Sequence, residues 1–241
     1  GDHRDLHSFP TRRSSDLRAD GCTCQTKSIM EWYEPKLKNT TKRLVIPNAL
    51  NEDILSSPIP ETREKVIMSM GRLEPQKNHK MLIEAFAQIA NEFQDYKLVI
   101  YGKGPLENEL NEYVASFGLS ERVCLPGFTN NVVAAYSEAK LFVLTSEHEG
   151  MPNVLAEAMA MGLPCISTDC GGGGARELIQ NEVNGILIER NDLKGLVIAM
   201  RLLLNNSELS TSISSQALRL RDKLTPIAIH REWESFFEMV Y

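Results

Sequence analysis

The chain has 241 residues, enough for one large domain or one and a half, and 42% hydrophobic with 24% charged residues is ordinary for a soluble globular protein. A formal charge of −6 argues against a partner held by phosphate neutralisation, so no nucleic acid is expected. Five cysteines, an odd number without C-x-x-C spacing, support neither a disulfide framework nor a zinc site, and no apolar run approaches the ~18 residues of a membrane span. A reducing cytosol is the simplest setting, and the N-terminus lacks the apolar core of a secretory signal.

Residues 1–18, containing His7-Ser8-Phe9-Pro10-Thr11-Arg12-Arg13, carry no sustained helical or strand period and differ in composition from the rest of the chain. They read as a foreign or artefactual tail, such as a translated adapter, or as a disordered basic tail. A polar run, Gln25-Thr26-Lys27-Ser28, then precedes a helix expected from Ile29 to Leu37 and a short strand over Arg43–Asn48 that ends in a turn at Pro47-Asn48. The Ser- and Pro-rich Ser56–Pro60 marks a boundary, which sets residues 19–60 apart from residues 61–225.

Beyond it, short apolar runs alternate with segments of 3.6-residue period. Strands are expected at Lys65–Met70, Lys97–Tyr101, Arg122–Leu125, Leu141–Thr145, Pro164–Thr168 and Ile186–Ile188. Helices are expected at Asn78–Glu92, Pro105–Phe117, Asn131–Ala139, Pro152–Met161 and Arg176–Ile179. This alternation indicates an α/β fold of βαβ units around a parallel sheet with helices on both faces, with ligands in the loops at the carboxyl ends of the strands. A helical tail comes last, at Leu193–Leu204, Leu209–Lys223 and Ile227–Tyr241, its final helix carrying an apolar stripe of Trp233, Phe236, Phe237 and Val240 that must pack on something.

The chemistry lies in the loops after the strands. After the first comes Gly71-Arg72-Leu73-Glu74-Pro75-Gln76-Lys77, where Arg72 can fork onto phosphate oxygens and Lys77 can add a point charge; solvated loop cations are the rival reading. After the second, Gly102-Lys103-Gly104-Pro105 opens like a dinucleotide fingerprint, but Glu107 stands where its third glycine would be, so it reads as a close turn. After the third, Pro126-Gly127-Phe128 can frame a flat base, or Phe128 can belong to the core; the residues leave both open. After the fifth, Gly171–Gly174 lets backbone approach a ligand and aim N–H groups at it, without the Lys of a Walker loop.

The fourth strand leads into Glu147-His148-Glu149-Gly150-Met151-Pro152-Asn153, which becomes a helix carrying Glu157 on its second turn. Pro152 suits a first helical position, and neither Gly150 nor Met151 offers a capping oxygen, so the first N–H groups are open to an anion. Taken alone, a surface loop with two solvated glutamates is the commoner reading. No G-x-S-x-G, H-E-x-x-H or Asp-x-Asp pattern is present, and His148 reads as a satisfied loop histidine rather than a metal ligand.

Taken together, Gly71-Arg72-Leu73 with Lys77-Asn78, Gly102-Lys103-Gly104-Pro105, Pro126-Gly127-Phe128, the E-x7-E pair Glu149 and Glu157, and Glu177-Leu178-Ile179 with Asn184-Gly185 resemble the group 1 glycosyltransferases, the retaining family 4 enzymes. The resemblance runs from about Cys22 to the end. It implies the C-terminal, donor-binding half of a GT-B fold of two Rossmann-like domains, with residues 19–60 as a remnant of the N-terminal acceptor domain and residues 226–241 as a helix crossing back to it. About half of such an enzyme, with its acceptor site and any membrane-docking surface, is then expected to be missing.

On that resemblance, Arg72 and Lys77 hold the donor diphosphate, Glu149 with the backbone of Gly150, Met151 and Asn153 holds the donor sugar and distal phosphate, and Glu157 accepts hydrogen bonds from the ribose. Arg72, Lys77 and Glu149 are thus the catalytic candidates, and Gly71, Phe128, Gly150, Met151, Pro152, Asn153 and Glu157 the substrate-binding ones. No metal or cofactor is expected, because fixed cations and a helix N-terminus can take the charge of the departing diphosphate. The implied partners are a nucleotide-diphosphate sugar, a UDP-sugar first among them, and a glycan or lipid-linked acceptor, with peripheral membrane association of the whole enzyme. A nucleotide-sugar epimerase or phosphorylase of the same architecture, or a donor-binding fragment without catalysis, are the alternatives.

Overall fold

The computed structural model describes residues 19–241; the reading of residues 1–18 falls outside them. Six strands form one all-parallel sheet: β3 (Val66–Met70), β4 (Lys97–Tyr101), β5 (Val123–Gly127), β6 (Leu141–Leu144), β7 (Cys165–Thr168) and β8 (Ile186–Ile188), in the order β5-β4-β3-β6-β7-β8. All six lie where the short apolar runs put them. The chain winds outward one way from β3 and the other way from β6, so the order reverses between these two neighbours, and a crevice opens there at their carboxyl ends.

Alternation along each strand feeds two cores, as a sheet covered on both faces requires. Ile67, Leu98, Ile100, Leu141, Val143 and Ile166 face α3 (His79–Ile89), α4 (Glu107–Ser116) and α8 (Leu193–Asn205). Met68, Phe142, Leu144 and Cys165 face the opposite layer, built from α2 (Glu52–Ser56), α5 (Val132–Glu138), α6 (Asn153–Ala160), α7 (Gly174–Leu178) and the terminal helices. Helix starts are local: the side chains of Asn131, Asp192 and Asn206 each accept a hydrogen bond from the backbone N–H three residues on.

A second, two-stranded parallel sheet precedes this body, β1 (Gly21–Cys24) with β2 (Lys42–Val45), connected through α1 (Lys27–Tyr33) and a 3₁₀ turn, Glu34–Lys36. β1 precedes the polar run Gln25–Ser28 and is not among the expected strands, and α2 reaches Ser56, the first residue of what reads as a connector. The expected Leu209–Lys223 helix is two, α9 (Ser207–Ala217) and α10 (Leu220–Lys223). The chain passes between the two bodies at Ile46–Leu50 and again at Leu224, where Leu50 N–H donates to the Leu224 carbonyl at 2.8 Å. α11 (Pro226–Val240) then packs on β2, burying Phe236 while Trp233 and Phe237 stay partly open.

Candidate functional site

The loops leaving the carboxyl ends of the strands are stitched into one surface. Gly71 N–H donates to Tyr101 O, Leu73 N–H to Lys103 O and Gly102 N–H to Gly127 O, all within 3.0 Å, which locks the loops after β3, β4 and β5 together. Across the sheet switch, Glu147 N–H donates to Gln76 O at 2.9 Å and the Gln76 amide donates to His148 O at 2.5 Å. Glu149 N–H and Gly171 N–H donate to Gly171 O and Glu147 O respectively, each at 2.8 Å, so the loop after β7 joins as well.

The glycines make this stitching fit. A Cβ on Gly102 would lie 1.8 Å from Gly71 O, one on Gly104 2.4 Å from Leu73 O, one on Gly172 2.2 Å from Glu149 O and one on Gly174 1.6 Å from Gly150 O. Gly102 and Gly172 also have positive φ, 144° and 91°. The close backbone approach is therefore between loops of the chain itself; the glycines set the distance between the loops that carry the charged candidates.

That spacing brings Lys77 and Glu149, 72 positions apart, into an ion pair between Lys77 Nζ and Glu149 Oε1. Both side chains are largely buried, 14% and 12% exposed. Thr145 Oγ1 lies 2.9 Å from Lys77 O and 3.0 Å from Asn78 O, and Asn78, with φ of 47°, turns the chain into α3. Arg72 differs: its side chain is 69% exposed, pairs with Glu74 at 3.1 Å, and stands at the mouth of the crevice. Behind it His79, fully buried, shares a 3.3 Å hydrogen bond with Arg72 O, and burial lowers its pKa to about 4, with Lys77 adding to the shift.

Pro152 corrects the expected helix start by one position: it is the N-cap of α6, in extended conformation, and offers no side-chain oxygen. Its carbonyl receives Leu155 and Ala156, so among the described residues the amides of Asn153 and Val154 have no acceptor. Met151 and Pro152 are buried, and Asn153 is exposed. The segment after β2 reaches this entrance: Asn48 N–H donates to Met151 Sδ at 3.0 Å and the Asn48 amide donates to Asn153 Oδ1 at 2.8 Å. Gly150 faces Gln25, which follows β1, and the Thr26 hydroxyl donates to Gly172 O at 2.7 Å.

Glu157 sits one turn into α6, half-buried, with its carboxyl raised by burial and pulled partly back by a 3.0 Å hydrogen bond from the Tyr136 hydroxyl. Tyr136 was not legible as a site residue, since nothing in an alternating helical segment singles out one buried tyrosine. Phe128 resolves the two readings left open for it: it is 70% exposed and lines an apolar cavity of about 440 Å³ with Met70, Arg72, Tyr101, Val132 and Val154. A larger cavity of about 820 Å³ between β2, α7 and α10 has mixed charge, with Lys27, Lys223, Glu177 and Glu232, and touches none of Arg72, Lys77, Glu149 or Glu157. The smaller one is the better ligand site because an apolar floor, a cation, an open helix start and a half-buried carboxylate converge around it. Among the described residues no group of three or more His, Cys, Asp or Glu could hold a metal ion.

Residues 51–219 match the glycosyl transferases group 1 family. An uncharacterized glycosyltransferase of Haemophilus influenzae is 29% identical over 203 residues, covering 84% of this chain and 56% of the relative. The Campylobacter jejuni N-acetylgalactosamine-N,N'-diacetylbacillosaminyl-diphospho-undecaprenol 4-alpha-N-acetylgalactosaminyltransferase is 32% identical over 170 residues, covering 70% of this chain and 46% of the relative. Among solved structures, Anabaena HepE in complex with UDP superposes with a TM-score of 0.82 at 21% identity, over 92% of this chain and 65% of that one. The chain spans about half the length of the curated relatives it matches. A match over most of its sheet and helices, together with the shared GT-B architecture, places this chain in the group 1 glycosyl transferases.

Proposed function

We propose that this chain is the donor-binding part of a retaining, family 4 glycosyltransferase that moves a hexose from a UDP-sugar to a glycan or lipid-linked acceptor. The observation that carries the reading is the buried Lys77–Glu149 pair at the sheet switch: Glu149 lies in the loop that leads into the uncapped start of α6, and the Lys77 side chain lies against Gly71, which lines the apolar cavity. In this reading the base lies against Phe128 and Val154, and the ribose meets Glu157. The diphosphate lies across Arg72, Lys77 and the open amides of Asn153 and Val154, while Glu149 and the backbone of Gly150, Met151 and Asn153 take the sugar.

The chemistry asked of these groups is charge stabilisation. Departure of the nucleoside diphosphate places negative charge on its distal phosphate, and a fixed cation with helix N-terminal dipoles meets that charge without reorganising. Glu149, already paired with Lys77, is then a hydroxyl acceptor rather than a covalent nucleophile, and no metal is called for. The name of the Campylobacter relative, with its diphospho-undecaprenol acceptor, and the UDP bound to HepE support the acceptor and donor classes respectively. Residues 19–60 and α11 belong, on this reading, to the acceptor side. No helix among the described residues is long and apolar enough to cross a membrane. For a lipid-linked acceptor we propose peripheral membrane association of the whole enzyme.

Calorimetric titration with UDP, GDP and ADP tests the reading: UDP is expected to bind best, and failure of all three to bind would sink it. Glu157→Ala in the intact enzyme is expected to cost roughly ten- to a hundredfold in donor binding or rate, since a hydrogen bond to a charged group contributes about 1.5–3 kcal/mol. Normal donor binding and turnover in that variant would remove Glu157 from the site.

A further inference from the structure

The Tyr136 hydroxyl lies directly beneath the floor of the apolar cavity. It is 3.0 Å from Glu157 Oε2, 3.1 Å from Val154 O and 3.7 Å from Met70 Sδ, and both Val154 and Met70 line that cavity. The tyrosine is completely buried on α5, its ring held against Phe142 at a centroid distance of 6.0 Å. A phenol has one proton to donate, and of its three neighbours the carboxylate is the strongest acceptor. Among the described residues, Glu157 Oε1 has no hydrogen-bond partner.

We propose that Tyr136 is a positioning residue for the donor: its hydroxyl holds Oε2 of Glu157, which fixes the carboxylate plane and leaves Oε1 turned outward to accept from the ribose diol. This role for Tyr136 rests on the donor reading of Glu157. It separates two functions within one carboxylate, one oxygen held by the protein and one offered to ligand. It also gives Tyr136 influence over discrimination between ribose and its deoxy analogues without touching either.

The electrostatic surroundings give the arrangement a readout. Glu157 is pushed toward its protonated form by burial, and the Tyr136 bond opposes that push. The other titratable or charged groups around Tyr136 are Cys165 from β7, a fully buried thiol, and Arg63, whose guanidinium donates to the carbonyls of Tyr136 and Ala139 at 2.7 and 3.1 Å. Arg63 is thus occupied by backbone oxygens rather than by the Glu157 carboxyl. A protonated Glu157 offers the diol a poorer acceptor, so donor affinity falls as pH drops through its pKa. Removing the phenol proton donor moves that fall to higher pH.

The test compares wild type, Tyr136→Phe and Phe142→Leu by calorimetry with UDP and 2′,3′-dideoxy-UDP from about pH 8 down to about pH 5.5. Thermal unfolding is followed alongside. Wild type is expected to prefer UDP. Tyr136→Phe, which keeps the ring, is expected to lose roughly fivefold of that preference and to lose affinity at higher pH than wild type. Phe142→Leu loosens the same core without reaching Glu157 and is expected to keep both the preference and the pH at which affinity falls. The proposal is overturned if Tyr136→Phe keeps the wild-type preference and pH profile, or if Phe142→Leu reproduces its changes. If wild type does not prefer UDP over the dideoxy analogue, the ribose reading of Glu157 itself fails, a result distinct from either of these.

Discussion

Two cations that the sequence treats alike, Arg72 and Lys77, are made different by burial. Arg72 is open to water, and its bond to Glu74 is screened, so its loss should leave folding nearly unchanged. Lys77 and Glu149 are both mostly withdrawn from solvent, and removing one leaves the other as an uncompensated charge. Lys77→Met is expected to cost about 3 kcal/mol in chemical unfolding, and Lys77→Met with Glu149→Gln appreciably less than the two single costs added, because the orphaned charge is gone. Additive losses would show that the pair is not coupled. His79 makes a second prediction. Its folded pKa, about 4, lies below its ordinary 6.5, so the unfolded chain takes up a proton between those values and the folded chain does not. Stability from this group is therefore complete above about pH 6.5 and lost as pH falls toward 4, by about 2–3 kcal/mol. His79→Gln should flatten the dependence of unfolding free energy on pH in that window; an unchanged slope would mean that His79 titrates normally.

At the scale of elements, the parallel sheet was legible because a strand buried on both faces must be a short, wholly apolar run, as Leu141–Leu144 and Leu98–Ile100 are. β1 was not, because Gly21-Cys22-Thr23-Cys24 is half-exposed and pairs only with β2, so no apolar run marks it. The split between α9 and α10 carries no proline or glycine signal in Leu218-Arg219. Pro152 was displaced by one position because proline is tolerated at an N-cap as well as at the first helical residue. The loops were legible as glycine-rich, but which neighbour each glycine touches depends on sheet order, which residue spacing does not encode. The virtual Cβ distances rank the consequences. Gly174→Ala forces a methyl to 1.6 Å from a backbone carbonyl and must push the β6 and β7 loops apart; Gly118→Ala, with φ of 67° in open space, meets only backbone strain. Gly174→Ala is expected to lower stability by about 2 kcal/mol or more and to weaken UDP binding, Gly118→Ala by about 1 kcal/mol with binding intact. Equal losses in the two variants would contradict a loop-spacing role for Gly174.

The whole molecule consists of two bodies joined by two chain passages, and the smaller one is held by few elements. Among the described residues β1 and β2 pack mainly against α1 and α11, and their attachment to the larger body includes Thr26 on Gly172, Lys27 N–H on Glu177 Oε1 at 2.9 Å, Asn48 at the start of α6, and apolar contacts of Leu44, Ile46 and Leu50. Phe236 is the main apolar anchor: it is 6% exposed and lies so close to β1 that a Cβ on Gly21 would stand 2.6 Å from its ring. Phe236 also joins one of the six-stranded sheet's two cores, but its nearest approach is to Gly21 on β1, and the other core lies on the opposite face of the sheet. Phe236→Ala should therefore cost about 3–4 kcal/mol, spent on the smaller body rather than on the sheet. Amide hydrogen exchange is the measurement that separates the two: protection should fall in residues 21–45 and 226–240 and persist in β3, β4, β6 and β7. Because Asn48 bonds Asn153 and Thr26 bonds Gly172, beside the sugar subsite proposed above, the same variant should hold UDP nearly as well as wild type while discriminating less well among UDP-sugars. Uniform loss of protection across both bodies would instead mean that they unfold as one unit, and that α11 supports the donor site directly.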